Sequence, residues 1–245
     1  MSKEFHYPSK AEIISRFLTR DFDPDGNLQK GVWNGLECVV FDHDWKDEQH
    51  YPESVTRVGS LWTSSHLYFA FWCRYTEINV FTGEDPTLEK FALWDRDVVE
   101  VFLNPRPDQL HQYFEFEVAP NGQWVDLDID LRKDLFYDHT WDSGFQHATR
   151  IDPVARIWMC EMKIPTAAVH VPAIRPGWEC RVNFYRLDGC GDDSERRQLA
   201  WSPTYGTNPG AYFHAPAHFG KIRCEMLPAL ERHPTDEPTL AAVVR

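Results

Sequence analysis

Residues 112–131 read QYFEFEVAPNGQWVDLDIDL. Apolar and polar side chains alternate along both halves, the period of a strand with two different faces. Between the halves stands Ala119-Pro120-Asn121-Gly122, in which Asn-Gly supplies the positive φ angles of a tight hairpin turn. On the first strand Phe114, Phe116 and Val118 are expected to face the core, with Tyr113, Glu115 and Glu117 on the other side. On the return strand the expected core face is Val125, Leu127, Ile129 and Leu131, against Trp124, Asp126, Asp128 and Asp130.

The same period recurs on either side of this hairpin. Residues 67–75 (LYFAFWCRY) put Leu67, Phe69, Phe71 and Cys73 on one face and Tyr68, Trp72 and Arg74 on the other. Further strands are expected at residues 36–41, 58–63, 97–103, 145–151, 155–164, 178–187 and 220–224. Helical spacing is confined to residues 10–19 (KAEIISRFLT), which are expected as a helix. Short strands and turn signals with no intervening helices predict an all-β fold, an antiparallel two-sheet β-sandwich of the jelly-roll type. It should occupy residues 21–226, between an N-terminal extension (1–20) and a C-terminal tail (227–245) that carries Pro228, Pro234 and Pro238 without apolar period.

Composition narrows the partners. With 25 Lys+Arg against 38 Asp+Glu the formal charge is −13, which repels nucleic acid and anionic membrane surfaces. No apolar run reaches the roughly 20 residues of a membrane helix. The opening MSKEFHYPSK lacks the apolar core of a secretion signal, so the chain as written is expected in the cytoplasm, or outside the cell if translation starts upstream. Six cysteines are scattered without a C-x-x-C pair, so neither a zinc knuckle nor a dithiol redox motif is present. Aromatic residues make up 14%, including 10 Trp, more ring area than a core of this size requires, and some rings are expected on a surface.

Seven segments in order give the chain a likeness. They are 23–33 (DPDGNLQKGVW), 67–72 (LYFAFW), 94–103 (WDRDVVEVFL), 113–122 (YFEFEVAPNG), 158–165 (WMCEMKIP), 182–186 (VNFYR) and Trp201-Ser202-Pro203 followed by His218-Phe219-Gly220. Together they resemble the family 9 carbohydrate-binding modules and the wider group of DOMON-like sandwiches. The resemblance implies a sugar cleft between two aromatic faces, with polar side chains on the ligand's hydroxyls. Physical chemistry asks for the same lining, because a pyranose has one C–H face that stacks on an indole and a hydroxyl rim that demands paired donors and acceptors.

Trp94 and Glu100 fall on the family positions of a stacking aromatic and a hydroxyl-binding carboxylate. Alternatively, Trp94 closes the sandwich rim and Glu100 pairs with Arg74, Arg181 or Arg186. Tyr113, Glu115 and Glu117 share a strand that the family uses for polar sugar contacts. There the sequence departs, since the family tends to carry Arg, Gln or Asn, and two glutamates in line change the ligand preference or the chemistry. Asn183, on the non-core face of its strand, is a candidate hydrogen-bonder, Trp72 and Arg74 on the non-core face of theirs are candidate sugar contacts, and Arg186 has core parity and is expected to brace a carboxylate. The second aromatic wall is expected from residues 201–213, where Trp201, Tyr205, Tyr212 and Phe213 all qualify.

Asp126, Asp128 and Asp130 present three carboxylates on one strand face, which suits calcium, and the resemblance implies a possible structural calcium ion. Otherwise no cofactor is required, and the expected partner is a mono- or oligosaccharide, with no nucleic acid and no membrane. The residues also admit two other functions. Glu115 and Glu117, with Glu100 beside them, have the residue types of an acid/base pair for glycoside cleavage. Related sandwiches hold haem, for which Met159, Met162 and His147 are conceivable ligands, although no C-x-x-C-H attachment exists.

Overall fold

The computed structural model describes residues 11–189, 196–204 and 213–226. They form β1 (Glu12–Phe17), β2 (Val39–Phe41), β3 (Thr56–Trp62), β4 (His66–Arg74), β5 (Val98–Asn104), β6 (Gln112–Val118), β7 (Trp124–Asp130), β8 (Tyr137–Asp138), β9 (Gln146–Asp152), β10 (Ile157–Pro165), β11 (Glu179–Asp188), β12 (Arg197–Ala200) and β13 (Gly220–Glu225). Helix among the described residues is limited to three-residue 3-10 turns, and none is long and apolar enough to cross a membrane. The fold is all-β, as the alternation requires.

One hydrogen-bonded path runs β8-β7-β6-β5-β11-β13-β1-β3-β4-β10-β9, with β12 added to β11 and β2 to β3. All these ladders are antiparallel except the two made by β1, which runs parallel to both β13 and β3. The sheet is therefore mixed, mostly antiparallel as expected but with parallel pairing at β1. The helix expected at residues 10–19 is also corrected. Its central residues are β1, with Ile13 and Ser15 buried in strand alternation. Two ready-made sheet edges supply more backbone partners than an isolated helical turn of this length offers.

The sheet curls until its two halves face each other. Phe69 and Phe71 of β4 lie 5.4 and 5.8 Å from Phe184 of β11, although three strands separate β4 from β11 along the path. Val99, Val101, Leu103, Phe114, Phe116, Trp158, Cys160 and Met162 fill the space between them. Arg186 shares that interior, wholly buried, with its guanidinium donating to the carbonyls of Ser54 (3.0 Å) and Arg74 (2.6 Å) and to Asp188 Oδ1 (2.9 Å). Its carboxylate is thus Asp188, not Glu100. Asp188 also accepts from Arg197 at 3.0 Å and from the Ser54 hydroxyl.

A second carboxylate pins the chain that leads into the sheet. Glu161 of β10 accepts from the backbone N–H groups of Asp25 (2.8 Å) and Gly26 (2.9 Å), from Lys30 Nζ (3.0 Å) and from Trp33 Nε1 (2.6 Å). Gly26 has φ +72°, and a Cβ there would sit 2.8 Å from the Thr149 carbonyl oxygen, so the turn needs glycine.

The β6–β7 hairpin corrects one further expectation. Ala119 N donates to Gln123 O at 2.8 Å, so three residues form the loop, and Gly122 alone among them has a positive φ, +89°. Val118 consequently faces Trp124, Phe116 faces Asp126 and Phe114 faces Asp128. A two-residue turn would have set Val118 against Val125. This one-residue difference sends every side chain of β7 to the opposite face. Val125, Leu127 and Ile129 are buried, but on the outer side of β5, β6 and β11, in a separate cluster with Phe102, Tyr113, Tyr185, Leu187 and Phe219.

Because Arg186 is fully desolvated, removing it leaves Asp188 buried beside fewer donors. Arg186→Ala is expected to lower the unfolding free energy by about 3–5 kcal/mol in urea denaturation. A loss within about 0.5 kcal/mol would show that the network carries no weight.

Candidate functional site

Strands β5 and β6 are buried on both faces, and their outward faces carry the site. Glu100 of β5 lies directly across from Glu117 of β6, and Phe102 from Glu115. These glutamates are 2%, 2% and 3% exposed, in the order Glu100, Glu117, Glu115, because other chain segments roof the sheet here. The floor of the resulting pocket is Glu100, Glu115, Glu117, Phe102, Leu127 and Ile129. Trp94, in the 3-10 turn Leu93–Asp95, and Tyr137 of β8 stand at its sides, with Phe136, Leu187, Arg196, Gln198, Phe213 and His214. It encloses about 300 Å³.

Trp94 is half-buried and keeps ring area available to the pocket. Phe91 packs edge-on against it at 5.1 Å and also lies 5.4 Å from Tyr137, so the mouth is aromatic. Phe213 stacks on Tyr185 at 4.1 Å with the rings 10° apart, which fixes it as part of the lining. His214 lies over Phe102, with Nδ1 in hydrogen-bond contact with the Tyr113 hydroxyl and 3.3 Å from Glu115 Oε1.

Burial dominates the electrostatics. It pushes the Glu100 carboxyl well above its ordinary range, the charge of Glu115 adds to the rise, and Arg196 opposes it. Glu117 is raised likewise by burial, then by Glu100, Glu115 and Asp95. Tyr113 is held far above the usual phenol range by burial and Glu115. Glu100 Oε2 and Glu117 Oε2 are buried without a hydrogen-bond partner. Such oxygens cost free energy until a donor reaches them.

The structure thus brings together Trp94, Glu100, Glu115 and Glu117, with Tyr113 beneath them and Phe213 as one wall. The other proposed residues lie elsewhere. Trp72 is buried on the far half of the sheet, 6.4 Å from Trp33 and with the Arg57 guanidinium 5.3 Å from its ring, and Arg74 is exposed at the end of β4. Asn183 is consumed internally, accepting from Ser202 N (3.0 Å) and donating to Ser202 O (2.8 Å). Trp201 belongs to the central core, 5.2 Å from Phe184 and packed against Gly220. Tyr205 and Tyr212 lie outside the described residues.

Asp126, Asp128 and Asp130 do not converge. Asp126 accepts from the Ser143 backbone N–H at 2.9 Å and Asp130 is clamped by Arg132 at 2.8 Å through two nitrogens, while Asp128 is only half-buried. Among the described residues no group of three His, Cys, Asp or Glu side chains is placed to hold a metal ion. Met159 and Met162, on opposite faces of β10, are both packed among hydrophobic side chains, in separate clusters.

Leu127, Ile129, Phe136, Tyr137, Arg196, Gln198 and His214 were not apparent from the sequence as site residues. The aromatic pair within the polar stretch KDLFYDH (133–139) was a usable signal for Phe136 and Tyr137. Nothing local distinguishes Arg196 from Arg197, which instead pairs with Glu53 and Asp188.

The raised carboxyls link stability to pH. Glu100 and Glu117 keep their protons to higher pH in the folded chain than in the unfolded one, where a glutamate titrates at about 4.3. The folded state therefore loses stability as pH rises above that value. Calorimetry of the ligand-free protein is expected to show a thermal midpoint that falls as pH is raised above the ordinary glutamate range, and a smaller fall in Glu117→Gln. Identical pH slopes in the two proteins would refute the linkage.

Comparison with known proteins places this pocket in a family. The model for the carbohydrate family 9 binding domain-like family matches residues 25–226. An extracellular protein of Arthroderma benhamiae is 25% identical over 212 residues, covering 82% of this chain and 90% of its own length. Among solved structures, a Bacteroides uniformis protein provisionally described as carbohydrate-binding superposes with a TM-score of 0.67 at 19% identity, over 87% of this chain and 99% of that one. A family 9 carbohydrate-binding module from Caldicellulosiruptor kristjanssonii, in complex with cellotriose, gives a TM-score of 0.60 at 16% identity, over 91% of this chain and 100% of that one. The same module in complex with glucose gives 0.61. At these identities the likeness to the solved structures is one of fold, and the family match carries the assignment: the chain belongs to the carbohydrate family 9 binding domain-like family.

Proposed function

We propose that this protein binds a mono- or short oligosaccharide in the pocket over β5, β6 and β7. The observation that carries the reading is the pairing of aromatic walls with a carboxylate floor whose oxygens lack partners. A sugar ring set against Trp94 places its C–H face on the indole and its hydroxyls over Glu100 and Glu117, where each hydroxyl donates to an oxygen that otherwise goes unsatisfied. Arg196, Gln198 and His214, on the same lining, offer donors to ring and hydroxyl oxygens. A cavity of about 300 Å³ lies at the lower end of the usual range for small-molecule pockets and suits one sugar unit inside, with any second unit at the aromatic mouth.

Two findings from the comparisons agree with this. The family model covers residues 25–226, which hold every strand except β1, and a fold relative from Caldicellulosiruptor kristjanssonii is known in complex with cellotriose and with glucose. We also infer that the two halves of the curled sheet serve as the two layers of a sandwich, joined through β1. No feature of the pocket requires bond cleavage, and binding alone accounts for it.

Isothermal titration against glucose, xylose, cellobiose and xylobiose, with glucosamine added to cover a charged sugar, tests the reading. At least one is expected to bind, and Trp94→Ala is expected to weaken it by about 1–2 kcal/mol, roughly 5- to 30-fold. Absence of heat across all of them, or unchanged affinity in Trp94→Ala, would overturn it.

A further inference from the structure

Three glutamates meet in one small pocket, and that is more acceptor and more negative charge than a neutral pyranose needs. Glu100 and Glu117 face each other across adjacent strands, with Glu115 two residues along β6 on the same face. Each is at least 97% buried by its 2–3% exposure. Hydroxyls of a neutral sugar can donate to the unpartnered Oε2 atoms of Glu100 and Glu117, but they cancel no charge. On the cationic side the described lining has Arg196, and His214 beside Glu115. In sequence, the stretches 190–195 (CGDDSE) and 205–212 (YGTNPGAY) hold no lysine or arginine to add.

A ligand that brings its own positive charge meets this imbalance. A protonated amine has three N–H donors and one unit of charge on a compact head, so one group both satisfies several carboxylate oxygens and neutralises part of the cluster. The aromatic walls of the same cavity accept the C–H face of the ring that carries it, and the electron-rich face of Trp94 also favours a cation nearby. We propose that the sugar recognised here is an amino sugar, held by its ammonium group against the cluster of Glu100, Glu115 and Glu117. This rests on the carbohydrate reading of the pocket and narrows it to one substrate class. Burial of the three carboxyls, which raises Glu100 and Glu117, is consistent with a floor that waits for a cation.

The test is titration of the full chain, at neutral pH and again one unit higher and lower, with glucosamine, galactosamine and mannosamine, their neutral parents glucose, galactose and mannose, N-acetylglucosamine, and ethanolamine. One hexosamine is expected to bind at least about tenfold more tightly than its parent, with N-acetylglucosamine no better than glucose. Glu117→Gln is expected to reduce that ratio more than it reduces affinity for the parent sugar, and Glu115→Gln supplies the same comparison if the first variant fails to fold. A parent sugar that binds as tightly as its amine overturns the amine preference and leaves the sugar reading intact. Failure of every sugar, amino or neutral, overturns both. Ethanolamine binding as tightly as the best hexosamine would mark an amine site without sugar recognition and overturn the proposal.

Discussion

The two-sided burial of β5 and β6 is the constraint on which the site depends. Val99, Val101, Phe114 and Phe116 are locked into the space between the facing halves of the sheet, so the alternate side chains have no choice of direction. Glu100, Glu115 and Glu117 must point outward together. On an open sheet they would be an ordinary solvated face. Here the turn bearing Trp94 and the segment bearing Phe213 and His214 cover them, and hydration is withdrawn from a cluster of like charges. The pocket is therefore costly to hold empty, which is a property expected of a binding site built for donors.

The remainder of the fold keeps that arrangement rigid. Arg186 joins the end of β4, the 3-10 turn Pro52–Ser54 and Asp188 at the end of β11 through buried charge-assisted hydrogen bonds. Glu161 performs a similar task on the other half, gathering the 25–33 segment by four donors. Both carboxylates are fully engaged. Glu100 and Glu117 each keep a buried oxygen without a partner, as Asp126 does outside the pocket, so in these two pocket acids part of the acceptor capacity is left open.

Much of this was legible in the sequence. Alternation in residues 112–118 marked the strand and set Glu115 and Glu117 opposite Phe114, Phe116 and Val118, and in residues 97–103 the parity of Val99, Val101 and Leu103 set Glu100 on the other face. Trp94 and Glu100 were named as candidates through the family likeness, and both line the pocket. What failed did so for identifiable reasons. Residues 10–19 read as helical because so short a window barely distinguishes the two periods, and sheet edges on both sides then claim the backbone of residues 12–17. The apolar side of β7 was assigned to the wrong layer because both layers are buried and only the turn fixes the register: Pro120-Asn121-Gly122 closes a three-residue loop, a geometry the Asn-Gly pair does not announce. Trp201, Asn183 and Trp72 are the residue types of a sugar site, yet their contacts are with the framework. Composition cannot tell a ring that stacks on a ligand from one that stacks on Phe184.

A crystal structure of the protein with a bound sugar examines the central claim most directly. A ring lying against Trp94, with donor groups within about 3 Å of Glu100 and Glu117, is the result this account predicts. A sugar bound on another face, with both glutamates still unpartnered beneath an empty pocket, would contradict it.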